Sequence, residues 1–308
     1  MLYILFFALL TGCFLLGLAW MRIGLFNISG SSIEKYLRKA TGTPFKGMVA
    51  GIGLTALLQS SSAVTVIAVG LVSARILAFP QTIGIILGTN IGTTFTLEFL
   101  SFGVSAVIAP FIAAGLMLLM FRKPKLKSFG YIFLGLGIIF ASMEGFARVS
   151  APIQHLDAVN GLLSQLNSNM ALAILAGAVL TAVIQSSTAT TGIAMSFIGA
   201  GVLPLEVGIA IMLGSNVGTC GTALIAGIAA GKEARLTAYA HTWLNLMGAL
   251  LFLPLIPALS SVSSSLSTVP ETQLAHASVI FNVVCSLCVL PFSHSFGNWI
   301  VRIHGSKR

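Results

Sequence analysis

The chain has 308 residues and a formal net charge of +9, yet charged residues make up only 7% of it, against roughly 25% in a soluble domain. Hydrophobic residues account for 56%, which excludes both a soluble globular protein and a disordered chain. Because one crossing of a bilayer takes about 20 residues, the composition predicts a polytopic membrane protein without a sizeable soluble domain.

Seven apolar segments are long enough to cross a bilayer, and two more are interrupted by polar clusters. The interruptions are Gln59-Ser60-Ser61-Ser62 and Gln185-Ser186-Ser187-Thr188. A polar break at mid-membrane depth is tolerated only where it is buried in protein or faces water. The uninterrupted segments are 2–21, 80–100, 102–121, 129–147, 205–229, 236–257 and 274–300, and the interrupted ones are 45–73 and 169–201.

Basic residues indicate whether an interrupted segment crosses or turns back, because positive charges gather in the cytoplasm. With the N-terminus outside and both segments folded as re-entrant helical hairpins, only Arg148 lies outside. We therefore predict a multi-pass protein of the cytoplasmic membrane with a cytoplasmic C-terminus, and no nucleic-acid partner. The other 15 of the 16 basic residues face the cytoplasm: Arg22, Lys35, Arg38, Lys39, Lys46, Arg75, Arg122, Lys123, Lys125, Lys127, Lys232, Arg235, Arg302, Lys307 and Arg308.

The interrupted segments are two copies of one sequence. Residues 55–96 align with 181–222 at a fixed offset of 126, without gaps and with 19 identities in 42 positions. The alignment pairs the two Gln-Ser-Ser clusters, and it pairs Gly-Thr-Asn-Ile-Gly-Thr with Gly-Ser-Asn-Val-Gly-Thr. We predict a single transmembrane domain, 1–308, which comprises the first span and a cytoplasmic loop (1–44), repeat 1 (45–147), repeat 2 (169–258), and the last span with the C-terminus (274–308).

Three predicted crossings separate the two hairpins, so the second repeat is predicted to be inverted relative to the first. Inverted repeats of this kind are typical of secondary transporters, in which two halves meet near the membrane midplane around one site. Exchanging the roles of the halves exposes that site first to one side and then to the other. The repeat therefore favours a transporter that works by alternating access.

The repeated polar residues suit an anion. A helix that restarts inside the membrane presents unpaired backbone N–H groups and the positive end of its dipole. Serine and threonine hydroxyls and glutamine amides extend this set of donors. The candidate ligands of a small tetrahedral oxyanion are Gln59, Ser60, Ser61, Ser62, Gln185, Ser186, Ser187 and Thr188.

Neutral oxygen ligands also suit Na⁺, whose charge would let a divalent anion enter without a protein cation at the centre. Four candidates lie in glycine-bracketed stretches, where we expect the backbone to open: Asn90, Thr93, Asn216 and Thr219. The other candidates are Thr55, Thr181 and Ser215. We expect no transition metal and no cofactor other than Na⁺ as coupling ion. The pairs Gly88/Gly92 and Gly214/Gly218 have an alternative interpretation, since such spacing also allows close helix packing.

Two histidine and asparagine pairs mark the last predicted spans: His241 with Asn245, and His276 with Asn282. Each pair either lines the site or joins helices through hydrogen bonds. The second interpretation is favoured, because polar side chains commonly link helices inside membranes.

The duplicated Gln-Ser-Ser and Gly-x-Asn-x-Gly-Thr motifs resemble the type II sodium/phosphate cotransporter family over residues 45–291. The resemblance implies inorganic phosphate as substrate, Na⁺ as driving ion, and substrate and ion ligands at the hairpin tips. Electrogenic vertebrate members place an acidic residue near the position of Arg75, so the charge stoichiometry is left open. We expect membrane lipid to surround the chain and any cytoplasmic regulator to be a separate protein. The sequence does not decide between a monomer and a homo-oligomer.

Two alternatives remain beside the carrier. An ion channel could be built on the same repeats. An intramembrane serine hydrolase would use a hairpin serine with His241 or His276 as base, but there is no G-x-S-x-G motif, and such an enzyme gives no reason for a second serine cluster. We therefore expect a transporter and not an enzyme.

Overall fold

The computed structural model describes residues 2–29, 42–102 and 105–305, and within these ranges the chain is helical without a β-strand. The predicted all-α polytopic membrane class is confirmed. Lys35, Arg38, Lys39, Lys307 and Arg308 lie outside the described residues. The helices are α1 (Leu2–Ser29), α2 (Pro44–Leu58), α3 (Ser61–Ser73), α4 (Phe79–Ser101), α5 (Ser105–Leu119), α6 (Pro124–Gln154), α7 (Asp157–Ser168), α8 (Met170–Ile184), α9 (Ser187–Gly199), α10 (Leu205–Ala229), α11 (Lys232–Phe252), α12 (Ile256–Leu266), α13 (Pro270–Val289) and α14 (Ser293–His304).

Six helical stretches of the described chain are long and apolar enough to cross a membrane: α1, α4, α6, α10, the stretch Lys232–Leu266 and the stretch Pro270–His304. The predicted span 102–121 corresponds to α5, which has 15 residues and is therefore about 22 Å long. That length falls short of a hydrocarbon core of about 30 Å. The number of crossings between the two hairpins therefore stays a prediction.

The last two long stretches are each interrupted by a short 3₁₀ segment that contains a proline. These segments are Leu253–Leu255 between α11 and α12, and Leu290–Phe292 between α13 and α14. Proline lacks the N–H that an α-helix needs and clashes with the preceding turn, so it breaks or bends a helix. Beyond the second break, α14 packs against α4, where a side chain at Gly297 would meet Ile83.

Both interrupted segments fold as helical hairpins. The first consists of α2 and α3, and the second of α8 and α9. In the second hairpin, Thr181 donates a hydrogen bond to Thr190 at 2.8 Å, although nine positions separate them. Nine residues of a continuous helix would span about 13 Å, so the chain must reverse at the polar cluster between these two threonines.

Each hairpin packs against the long helix that follows it, and it does so at matching positions. A Cβ at Gly88 in α4 would overlap the carbonyl oxygen of Met48 in α2, and a Cβ at Gly214 in α10 would overlap that of Ile174 in α8. Each of these two pairs is related by the offset of 126 residues. The two repeats therefore share a packing arrangement in which the backbones of neighbouring helices touch.

The two hairpins start from opposite ends of α4. Pro44, at the base of the first hairpin, contacts Gly84 near the start of α4. At the base of the second hairpin, Ser196 lines a cavity together with Glu271 and with Leu100 near the end of α4. Inverted repeats require this arrangement, while the orientation of the molecule in the membrane stays a prediction.

Candidate functional site

The tip of each hairpin is a two-residue turn with the same backbone geometry. Gln59 and Gln185 both adopt the left-handed conformation, with φ of 53° and 60°. The following residues, Ser60 and Ser186, are extended. Their Oγ atoms accept hydrogen bonds from the N–H groups of Ala63 and Ala189, each at 3.2 Å. A serine in this position is a favoured N-cap, which explains why α3 and α9 begin where they do.

The capped helices leave further donors at the tips. The first N–H groups of an α-helix have no partner within the helix, and here they belong to Ser61 and Ser62 in α3 and to Ser187 and Thr188 in α9. Together with the hydroxyl groups of the same residues and the positive ends of both helix dipoles, they form a set of anion donors.

The two tips meet in one small cavity. Its volume is about 30 Å³, on a scale where roughly 10–15 Å³ holds one water molecule. All eight predicted substrate ligands line it, and Thr93, one of the sodium candidates, lines it as well. The complete lining is Arg22, Gln59, Ser60, Ser61, Ser62, Thr93, Thr96, Gln185, Ser186, Ser187 and Thr188. The hairpin tips are thus brought together, and their roles as ligands stay a prediction.

Two lining residues escape the sequence prediction because they lie outside the repeated motif or at its far end. Thr96 donates from Oγ1 to Oε1 of Gln59 at 2.6 Å. Arg22 donates from Nε to the carbonyl oxygen of Gln59 at 2.8 Å. Arg22 was predicted to follow a first span that ends at Met21, among the cytoplasmic basic residues. It lies instead within α1, which continues to Ser29, and its side chain lines the cavity. The predicted site needed no protein cation, and Arg22 adds one to the cavity lining.

The sodium candidates are distributed over both repeats rather than gathered at one point. Thr181 is paired with Thr190, Ser215 lies 3.3 Å from Thr191, and Thr93 and Thr219 donate to carbonyl oxygens of their own helices. Asn216 has a long contact of 3.9 Å to Met212 Sδ. By contrast, Thr55 Oγ1 is buried and has no hydrogen-bond partner among the described residues, and the same holds for Thr65 Oγ1.

The glycine-bracketed stretches do not open. Helices α4 and α10 run through them without a break, so the backbone carbonyl groups there are used in the helices. The expectation of an opened backbone around Asn90 and Asn216 was wrong for a physical reason. The glycines allow α2 and α8 to approach α4 and α10, since a Cβ at Gly92 or Gly218 would come within 2.6 or 2.8 Å of the Cβ of Thr55 or Thr181.

Asn245 connects three helices. Its Oδ1 accepts from Asn90 Nδ2 in α4 at 3.0 Å, and its Nδ2 donates to the carbonyl oxygen of His241 at 3.0 Å and contacts Cys220 Sγ in α10 at 3.4 Å. His241 is buried, and its Nδ1 has no hydrogen-bond partner among the described residues. Neither residue lines the cavity, and Asn245 is a structural link between helices.

His276 also joins helices, since its Nδ1 lies 2.8 Å from Glu98 Oε1 in α4. Asn282 instead donates to the carbonyl oxygen of Ser278 in its own helix at 2.8 Å. Neither these residues nor His241 line the cavity. A hydrolase needs a base within hydrogen-bond reach of its nucleophile, so the geometry gives the serine hydrolase alternative no support.

Comparison with known proteins identifies the family. The model of the family described as Na+/Pi-cotransporter matches residues 13–148 and 151–281. The uncharacterized protein YqeW of Bacillus subtilis is 41% identical over 296 residues, which are 96% of each chain. No solved structure matches.

Two further relatives carry names that refer to phosphate. The putative inorganic phosphate export protein YjbB of Salmonella typhimurium is 26% identical over 284 residues, which are 92% of this chain and 52% of the relative. The chain thus spans about half the length of that protein. Sodium-dependent phosphate transport protein 2C of Homo sapiens is 42% identical over 92 residues, which are 29% of this chain and 15% of the relative. The chain is a multi-pass membrane protein that belongs to the Na+/Pi-cotransporter family.

Proposed function

We propose that the protein moves inorganic phosphate across the cytoplasmic membrane, coupled to Na⁺, by alternating access. One observation carries the proposal: the two Gln-Ser-Ser turns, which lie 126 positions apart in the sequence, meet in a single cavity. Family membership and the names of the relatives support phosphate as the substrate.

Phosphate suits the donors at the tips. Its oxygens can accept hydrogen bonds from the unpaired N–H groups of Ser61, Ser62, Ser187 and Thr188 and from their hydroxyl groups. Donors from two helices that approach from opposite sides can surround a tetrahedral ion, whereas one helix end could contact only one side of it. This explains why the motif is needed twice.

Two buried hydroxyl groups support the binding of a cation in the first repeat. Thr55 and Thr65 expose 1% and 0% of their surface, and their Oγ1 atoms have no hydrogen-bond partner within the described residues. An unsatisfied buried hydroxyl group is costly and needs an explanation, and the oxygen of a threonine can act as a ligand for Na⁺. Thr55 was a sodium candidate from the sequence, whereas Thr65 joins that set here.

Alternating access is supported by the opposed hairpins. Because their bases lie near opposite ends of α4, movement of the first tip would open the cavity toward one end of the molecule, and movement of the second tip toward the other. The shared packing of each hairpin on its following helix lets each pair move as a unit.

The deciding experiment measures radiolabelled phosphate flux into liposomes that contain the purified protein. We expect flux that saturates with phosphate and increases with an imposed Na⁺ gradient, while a K⁺ gradient of the same size has no effect. Saturable flux indifferent to Na⁺ would contradict the coupling. Flux that rises linearly with phosphate, without saturation, would favour the channel.

Labelling tests the proposed orientation. In a variant without the native cysteines, we expect a single cysteine at Arg75 to react only from the cytoplasmic side, and one at Asp157 only from outside. Reaction of both from one face would contradict the predicted inversion of the second repeat.

A further inference from the structure

An arginine from outside both repeats reaches the candidate site. Arg22 lies in α1, and its Nε donates to the carbonyl oxygen of Gln59 at the first hairpin tip, at 2.8 Å. Its side chain lines the cavity together with the two Gln-Ser-Ser clusters. Gln59 is the left-handed residue of the turn, so the arginine is anchored on the backbone that shapes the tip.

Arg22 is the charged residue of this cavity. The other ten lining residues are glutamines, serines and threonines, which are neutral. The ion pairs of the described residues join Arg148 to Glu144 and His276 to Glu98, so no carboxylate in this part of the chain balances Arg22. A charge at membrane depth without a counter-charge is costly, and an anionic ligand in the cavity would supply the missing charge.

The guanidinium group keeps its terminal nitrogens available. Within the described residues, Arg22 donates from Nε to Gln59, and its two terminal nitrogens have no hydrogen-bond partner. A guanidinium group offers five N–H donors in a planar fork, which can hold two oxygens of one oxyanion in parallel. The bond at Nε fixes the plane of the group and leaves this capacity for a ligand.

We infer that Arg22 is a substrate-binding residue that contacts the oxyanion directly and favours multiply charged tetrahedral oxyanions over monovalent anions such as chloride. The inference rests on the proposed function, since it assigns a further ligand to the same site. Arg22 also places a full positive charge beside the two helix N-termini, which carry only partial charges.

Two variants of Arg22 separate charge from geometry. Arg22→Gln keeps an N–H donor for the carbonyl oxygen of Gln59 but loses the charge, and Arg22→Lys keeps the charge but loses the planar fork. Because a hydrogen bond to a charged group is strong, we expect the KM for phosphate to rise at least about tenfold in Arg22→Gln and by a smaller factor in Arg22→Lys. Arg148→Gln is the matched control, since Arg148 is exposed and lies outside the cavity, and its KM should not change.

A purely structural role would give a different result. If Arg22 only held the tip, both variants would lower kcat and the melting temperature while leaving the KM for phosphate unchanged, and that result would overturn the inference. In the same way, a KM rise of equal size in Arg148→Gln would overturn it.

Thermal stabilisation of the detergent-solubilised protein provides a second readout that does not depend on transport. Inorganic phosphate should raise the melting temperature of the unaltered protein more than chloride at equal ionic strength, and Arg22→Gln should lose this difference. If phosphate stabilises Arg22→Gln as much as the unaltered protein, the inference fails while the proposed transport stands. If the unaltered protein shows neither flux nor stabilisation by phosphate, both fail.

Discussion

The two hairpins have the same backbone conformation at their tips but differ in how their buried hydroxyl groups are paired. In the second repeat, Thr181 is bonded to Thr190 at 2.8 Å. In the first repeat the partner position holds Val64, and the hydroxyl group of Thr55 is left without a partner among the described residues. The second hairpin is therefore closed on itself, whereas the first keeps polar capacity for something else.

The glutamines at the two tips differ as well, but here the additional hydrogen-bond partners belong to the first repeat. Gln59 is held from outside its hairpin by Thr96 and Arg22. Both glutamine side chains also donate from Nε2 to a carbonyl oxygen of their own helix, that of Ala56 or Ala182. Thr222, the counterpart of Thr96, donates to the carbonyl oxygen of Thr219 and not to Gln185. Duplication has thus preserved the turn, while the partners of its polar groups have diverged. We expect the first hairpin to carry more of the ligand contacts.

Replacement of the glutamines should have the largest effect. We expect Gln59→Ala and Gln185→Ala each to reduce phosphate flux at least about tenfold, because both side chains line the cavity, with unchanged yield of folded protein. Flux in liposomes and elution in size-exclusion chromatography measure the two quantities.

Gln165→Ala serves as the control, since this residue is exposed on α7 and should transport normally. Near-normal flux in either tip variant would contradict the shared site. A greater loss of phosphate affinity in Gln59→Ala than in Gln185→Ala would sharpen the comparison, and the reverse order would break it.

Alanine at the packing glycines should destabilise both repeats. We expect Gly88→Ala and Gly214→Ala to lower the free energy of unfolding by about 1–3 kcal/mol each, because the new Cβ would overlap a carbonyl oxygen of α2 or α8. Thermal unfolding in detergent gives the measurement. Gly221→Ala is the control, since its Cβ would meet nothing within 4 Å, and equal losses in all three variants would refute the packing argument.

Exchanging one threonine should transfer the hydroxyl pairing between repeats. Val64→Thr offers Thr55 the partner that Thr181 already has, and we expect a gain of about 0.5–1.5 kcal/mol in stability. Thr190→Val removes the pair from the second hairpin and should cost about 1 kcal/mol. The melting temperatures of the two variants should therefore move in opposite directions.

The same exchange also tests the sodium proposal. If Thr55 contacts Na⁺, pairing it with a new threonine should raise the Na⁺ concentration needed for half-maximal flux. An unchanged Na⁺ dependence in a stabilised Val64→Thr variant would argue against Thr55 as a sodium ligand.

The smallest effect is expected at the end of the first hairpin. Arg75 has a φ of 58°, and its counterpart in the second repeat is Gly201, with a φ of 72°. A left-handed conformation strains most residues but not glycine, so we expect Arg75→Gly to gain up to about 1 kcal/mol. A lower melting temperature in this variant would show that the arginine side chain contributes more than its backbone costs.

The periodic and repeated features could be predicted from the sequence because each is local. Apolar segments gave the helical membrane class, and the repeated Gln-Ser-Ser clusters marked the positions of the two turns. The exact ends of helices were harder to predict. Helix α1 continues to Ser29, beyond the predicted end at Met21. A single arginine does not stop the helix, because the side chain of Arg22 reaches a polar cavity.

The contacts between distant elements could not be predicted. Nothing in the repeat alignment connects Arg22 to Gln59, since α1 lies outside both repeats. The glycine motifs allowed two interpretations, an opened backbone or close packing, and only the position of α2 beside α4 decides between them. Likewise, His276 contacts Glu98 in α4, whereas Asn282 bonds within its own helix. The spacing of the two residues in the sequence does not predict this difference.

The two proline-containing 3₁₀ segments affect how the protein fits its bilayer. Each of the last two stretches has 35 residues, or about 52 Å if straight, against a hydrocarbon core of about 30 Å. The excess of roughly 20 Å is close to the length of α12 or α14. Bending at Leu253–Leu255 and Leu290–Phe292 can therefore absorb differences in membrane thickness, and the helices around the cavity need not tilt to do so.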